Sequence, residues 1–260
     1  MASRVFPHPA PGSLSDVSLG LTAKRSTVNK WGRNADVDSA AAEDIWTQGG
    51  LHVPPTAART HDLVSSDVAD NGVTPGTGMQ TVRIFGLDSA WALQQEDITL
   101  NGTTNVPTKN TYLRIFRMSG LSAGSGVINA GLITATAQTD STVSAAIAIG
   151  DGQTQMAVYS VPTGYKALIH SLNISYNRSG GAASTIDVIL MVRCFIDTTT
   201  PVLLTQDYVE IVQGATNPVI KPFTPPKMLA GPCDVFLRVV AASANNNDVS
   251  GGFDIELVQD

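Results

Sequence analysis

The chain has 260 residues, a formal net charge of −6, a pI of about 5.1 and only 15% charged residues, against roughly 25% in ordinary soluble domains. Long exposed helices draw on Lys, Glu and Arg, and Glu43, Glu96, Glu210 and Glu256 are the only glutamates, so a helical protein is excluded in favour of a β-rich one. Lys24, Arg25, Lys30 and Arg33 are the closest basic group, too sparse to displace phosphate counterions, so no nucleic-acid partner is expected.

Residues 1–78 are poorly periodic and are expected to form a long, mostly irregular N-terminal arm. "VFPHPAPGSLS" is proline-rich and resists helix and sheet alike. No apolar leader occurs in the first thirty residues, and no run approaches the roughly 20 apolar residues of a membrane span. A chain made in a cytoplasm, with no membrane partner, is expected. "DSAAAEDIW" predicts a short helix near 39–47, capped by Asp38 or Ser39 and ended by Gly49-Gly50. Trp31, Ile45, Trp46, Leu51 and Val53 are apolar anchors for an arm that either grips a neighbour or folds back on its own body. Either way the arm needs a surface, because ordering each residue costs about 1–2 kcal/mol.

From Met79 to residue 260 the texture is that of a β-sandwich or barrel. About eleven β-branched runs, from "TVRIFGL" to "GFDIELV", are separated by turn chemistry such as "NGTT", "GDGQ" and "NNND". In "DVFLRVV", Val235, Leu237 and Val239 share one face and Phe236, Arg238 and Val240 the other. "VILMVRCFI" is apolar on both faces, which predicts a central or interface strand. No βαβ spacing or fixed-period repeat occurs, which removes Rossmann folds, solenoids and propellers from the expected folds. Cys194 and Cys233 each sit in a strand-like run and are expected as two buried thiols.

No motif carries catalysis, and the chain is expected not to be an enzyme. "GLSAG" matches a nucleophile elbow around Ser122, but a glycine-rich turn and a strand follow where a helix is required. An EF-hand alignment over Asn34, Asp36 and Asp38 fails, with Ser39 where Gly is needed and Ile45 where a bidentate Glu is needed. Glu43 and Asp44 are better explained by the first-turn amides of the short helix that Asp38 or Ser39 caps, or by an arginine. His8, His52, His61 and His170 lack metal-ligand spacing. No metal or cofactor is expected.

Three stretches, "WGRNADVDSAAAEDIWTQGG" (31–50), "VRIFGLDSAWALQQEDITLNGTTNVPTKNTYLRIFRM" (82–118) and "GQTQMAVYSVPTGYKALIHSLNIS" (152–175), together resemble structural proteins of tailed bacteriophages, particularly marine and cyanobacterial podovirus-like phages. The closing "ASANNNDVSGGFDIELV" fits the same pattern. The resemblance implies an all-β, jelly-roll-like antiparallel sandwich in a virion component, homo-oligomeric and with no catalytic residues to transfer. A capsid decoration or cement protein on the major capsid protein is the leading expectation, as a homotrimer in a virion assembled in the host cytoplasm. The alternative is a tail or head fibre module that binds a host surface receptor or glycan through "NRSGGAAS" or "ASANNND". On the cement reading the candidate assembly contacts are Trp31, Asp36, Asp38, Glu43, Ile45 and Trp46.

Overall fold

The computed structural model of the protein describes residues 13–178, 184–195, 200–213 and 218–260. They form one single-turn helix, α1 (Leu14–Ser18), and sixteen strands. The strands before the centre are β1 (Arg25–Val37), β2 (Glu43–Asp44), β3 (His61–Ser65), β4 (Met79–Leu87), β5 (Leu93–Thr99), β6 (Val106–Pro107), β7 (Arg114–Ala123), β8 (Ile133–Ala137) and β9 (Val143–Ile147). They are followed by β10 (Val158–Val161), β11 (Tyr165–Arg178), β12 (Thr185–Cys194), β13 (Leu204–Val212), β14 (Val219–Ala230), β15 (Cys233–Ala242) and β16 (Asn247–Gln259). The protein is all-β, and its strand pairs are antiparallel.

Four sheets result: a terminal sheet ordered β1-β16-β11-β14, a central sheet β10-β15-β12-β13 with β2 added on β15, and two smaller sheets, β6-β3-β8-β9 and β5-β4-β7. Four such sheets make a propeller-like arrangement, which the lack of a sequence repeat was no ground to remove. One apolar core is shared by the terminal and central sheets, with Ile169, Phe253 and Ile255 from the first and Val188, Leu190 and Leu237 from the second. A second core joins the central sheet, through Ile189, Met191 and Phe236, to Leu63, Ile84, Met118 and Ile133 of the small sheets.

The middle stretches of β12 and β15 are thus buried on both faces. Val235, Leu237 and Val239 enter the first core and Phe236 the second, as their alternation predicts, while Arg238 ion-pairs and Val240 is exposed. The apolar run of β12 is an interior strand between β13 and β15.

The front of the chain departs from expectation. The division at residue 78 is not observed, because β1, β2 and β3 pair with β16, β15 and β8. Helix α1 also begins inside the proline-rich lead, where Ser13 accepts a hydrogen bond from the Asp16 amide at 3.2 Å. No helix forms over 39–47: Glu43 and Asp44 instead ladder with Val239 and Arg238. Nucleating a two-turn helix is unfavourable in itself, so tertiary pairing overrides the alanine run. Cys194 and Cys233 form a disulfide rather than two thiols, because the β12–β15 register sets them directly opposite each other.

Candidate functional site

Strand β1 organises the site. Its even-numbered side chains from Val28 to Asn34 turn inward, and three of those positions hold Lys30, Gly32 and Asn34. Each has a specific partner in place of apolar packing. A Cβ on Gly32 would stand 2.3 Å from the Ala157 amide nitrogen and 2.4 Å from the Ile45 carbonyl oxygen, so only glycine lets β1 approach those segments. The Asn34 amide donates to Glu43 Oε2 at 2.9 Å and more loosely to the Asp44 carbonyl at 3.4 Å. The Lys30 ammonium donates to the Phe116 carbonyl of β7, where a bulge between Phe85 and Gly86 breaks the ladder to β4.

Arg117 donates to the Asn29 carbonyl at 3.1 Å, and Trp46 bridges to Met156. Of the three stretches of the sequence resemblance, 31–50 meets 152–175 at Gly32–Ala157 and Trp46–Met156, and 82–118 meets 152–175 at Phe116–Tyr159 and Met118–Thr154; Asn29 and Lys30 lie just before the first. Lys30 is almost wholly buried, and burial first, then the neighbouring Arg117 charge, pushes its pKa well below the usual lysine range. Among the described residues neither Lys30 nor Arg117 is paired with a carboxylate.

A groove of about 630 Å³ runs along β1 from Ser26 to Trp31 and is walled by Phe85, Leu93, Phe116, Arg117 and Tyr159. That volume lies within the usual range for ligand sites, about 300–1,000 Å³. On the other side of Trp31 a hollow of about 320 Å³ is lined by Asn29, Gly32, Asn173, Ser250 and Gly251. It exists because β16 carries Gly251-Gly252 there: a Cβ on Gly252 would stand 3.0 Å from Trp31 Cβ.

The six candidate contacts separate. Trp31, at 36% exposure, and Asp36 lie on the surface. Asp38 is half-buried and accepts from the Asn246 amide at 3.1 Å. Glu43 accepts from the Asp38 and Gly50 amides at 3.1 and 2.9 Å, neither of them in a helix, so the first-turn role expected of it is not the one it has. Ile45 is 0% exposed and Trp46 5%, so both are spent inside this chain and cannot reach a neighbour. Trp46 donates to the Gly50 carbonyl at 3.2 Å and meets His52 edge-on at 4.9 Å. The expected arginine partner of Asp44 is Arg238, at 2.6 Å.

Two polar clusters have no counterpart in the sequence motifs. Asp234 is buried between Arg114 at 2.9 Å and Arg193 at 2.8 Å and accepts from Ser160 at 2.7 Å. Burial alone would raise its carboxyl pKa, but the two guanidinium groups hold it below the ordinary value. Arg114 also lies over the Trp91 ring at 4.7 Å. Beside them is a cavity of only about 40 Å³, room for a water or two.

His61 contacts Ser144 Oγ at 2.8 Å through Nε2 and the Arg59 carbonyl at 3.0 Å through Nδ1, an arrangement that in an open cleft would orient a nucleophile. Both residues are buried to 1% exposure or less, so no substrate reaches them. Burial pushes the His61 pKa down to about 4. Ser122 lies in β7, paired with Thr81, and strand rather than helix surrounds it. Among the described residues, no three His, Cys, Asp or Glu side chains converge as a metal site. Likewise, no helix of the described residues is long and apolar enough to cross a membrane. Most of "NRSGGAAS" lies outside the described residues, and so does His8.

No protein-family model matches the chain, and no curated protein matches it. Among solved structures, the D431N mutant VP2 protein of infectious bursal disease virus, in derived T=1 particles, aligns with 90% of this chain and 72% of its own. Identity is 10% and the TM-score 0.14, a likeness that carries no argument about fold or function.

Proposed function

We propose that this protein is a structural component of a tailed-phage particle, a decoration or cement protein on the head. One observation carries the reading. The stretches 31–50, 82–118 and 152–175, which resemble phage structural proteins, are distant in sequence yet pack together, Gly32 and Trp46 against Ala157 and Met156, and Phe116 and Met118 against Tyr159 and Thr154. A resemblance spread over unrelated surface segments would not be expected to converge in this way. On this reading the terminal and central sheets form a jelly-roll-like body, and the protein binds the major capsid protein as a homotrimer. Trp31 and Asp36 are its exposed contacts; Ile45 and Trp46 hold β1 and β2 to the body. Long gripping contacts then come from strand edges and loops rather than from a 78-residue arm.

The test is location and strength together. Labelled antibody should decorate the heads of intact particles evenly, and particles lacking the protein should rupture at lower temperature. Label confined to the tail, or equal rupture temperatures, would refute the cement role. A second reading, a module that binds a host-surface glycan, is favoured by the Trp31 hollow. An exposed indole beside Asn29, Asn173 and Ser250 offers a stacking face and hydrogen-bonding groups for a sugar. Binding of cell-surface polysaccharide that Trp31→Ala abolishes would favour this reading over cement.

A further inference from the structure

We propose that the groove beside β1 is a strand-addition site, which takes an extended polypeptide segment carrying a carboxylate. The inference goes beyond the particle role and holds or fails on the isolated chain.

The backbone comes first. In an antiparallel ladder alternate residues turn both their N–H and C=O toward one neighbour. The Lys24 carbonyl accepts from the Gln259 amide at 2.8 Å, and the β1–β16 register runs unbroken from Arg25 to Asn34. Even-numbered residues therefore bond to β16, and Thr27, Asn29 and Trp31 present their backbone groups to the far side. The Asn29 carbonyl, which accepts from Arg117, confirms the parity. Strand β1 has no second ladder, since it ends the terminal sheet. Among the described residues, the amides of Thr27, Asn29 and Trp31 and the carbonyls of Thr27 and Trp31 have no hydrogen-bond partner. Ser26 to Trp31 at roughly 3.3 Å per residue gives an open edge about 20 Å long.

The walls then select the occupant. Exposed edges are ordinarily guarded by proline, charge or a covering element. Strand β14, at the opposite end of the same sheet, carries Pro222, Pro225 and Pro226. The open stretch of β1 has no proline; across the groove it faces the exposed Leu93 and the half-buried Phe85, with Phe116 and Tyr159 almost wholly buried beside them. A strand laid along it would turn alternate side chains toward Leu93 and Phe85. Arg117 also lines this space, beside the buried Lys30, and no Asp or Glu does. A peptide with apolar residues on one face and an Asp or Glu among them meets both features. Backbone bonds would supply affinity and the alternate side chains specificity. A carboxylated sugar could satisfy Arg117 and stack on a ring, but it has no use for the row of unpaired amides.

The experiment is a selection from a displayed library of random twelve-residue peptides on the full chain, with trigalacturonate as an acidic-sugar probe. Two variants accompany it, Thr27→Pro and Arg117→Glu, both checked for unchanged circular dichroism and melting. Thr27→Pro removes an edge donor that the β1–β16 ladder does not use. Enriched peptides should mix Asp or Glu with alternating apolar residues. Each variant should weaken the best of them at least tenfold, while trigalacturonate neither binds nor competes. No enrichment, or enriched peptides indifferent to Thr27→Pro, would overturn strand addition. So would trigalacturonate competing for the site, which would make it a sugar site. If either variant misfolds, protection of the Thr27, Asn29 and Trp31 amides from hydrogen exchange by the enriched peptide decides instead, and no added protection counts against the proposal.

Discussion

Trp46 and Trp31 lie fifteen positions apart on the same stretch, and the structure gives them opposite duties. Replacing Trp46 with alanine removes a side chain that is 5% exposed and packs in the second core beside Met156, Val158 and Phe236. It also deletes the indole hydrogen bond to the Gly50 carbonyl and the edge contact with His52. Large-to-small changes of this kind cost about 3–5 kcal/mol, through lost transfer energy and the cavity left behind. For a chain of this size that corresponds to a fall in melting temperature of roughly 6–20 °C. Trp31 covers the Gly251-Gly252 strip from outside, and its removal should change stability by less than about 1 kcal/mol. Urea and thermal unfolding of the two purified variants measure the difference directly. A loss below 1 kcal/mol for Trp46→Ala, or an equal loss for the two, would refute the assignment of Trp46 to the core and reopen its role as an external anchor.

Three further outcomes are expected. The His61 pKa of about 4 lies below the usual 6.5, so the unfolded chain binds the extra proton first as pH falls. Stability from this residue is full above pH 6.5 and is lost toward pH 4, by about 3 kcal/mol. His52 is shifted in the same direction, again by burial. Urea midpoints that stay flat between pH 7 and 4.5 would contradict this, and His61→Gln should flatten the slope. Asp234→Asn leaves the buried Arg114 and the half-buried Arg193 without their countercharge and should cost about 3–5 kcal/mol in denaturant titrations; a cost under 1 kcal/mol would mean that solvent reaches the cluster. The Cys194–Cys233 bond closes a 39-residue separation, so Cys194→Ser with Cys233→Ser should lose up to about 4 kcal/mol, and equal unfolding midpoints with and without reductant would show that the bond is absent.

Most strands after Met79 were legible because their inward positions are apolar and their breaks are turn residues. The two-faced burial of β12 and the alternation of β15 could be read residue by residue. Strand β1 was hidden because three of its inward positions are Lys30, Gly32 and Asn34, each satisfied by a partner distant in sequence or in a neighbouring loop. Strand β9 was missed for a related reason: Ala145 and Ala146 fill buried positions with side chains too small to register as a β-branched run. The alanines and acids of 39–47 pointed to a helix because local propensity cannot see Arg238. The groove was invisible in the sequence, since an unpaired edge is defined by what does not lie beside it. The disulfide required the register of two strands separated by a further pair.

The pairing of β1 with β16 also sets a schedule. Among the described residues, the strand that ladders with β1 is β16, made roughly two hundred residues later. At typical elongation rates of about 5–20 residues per second, that interval is on the order of 10–40 s. Throughout it the nascent chain has β1 but no terminal sheet to mount it on, and so no groove. A partner that reads the open edge would meet nothing to read until β16 has emerged: a strand roughly two hundred residues downstream makes β1 fit to bind.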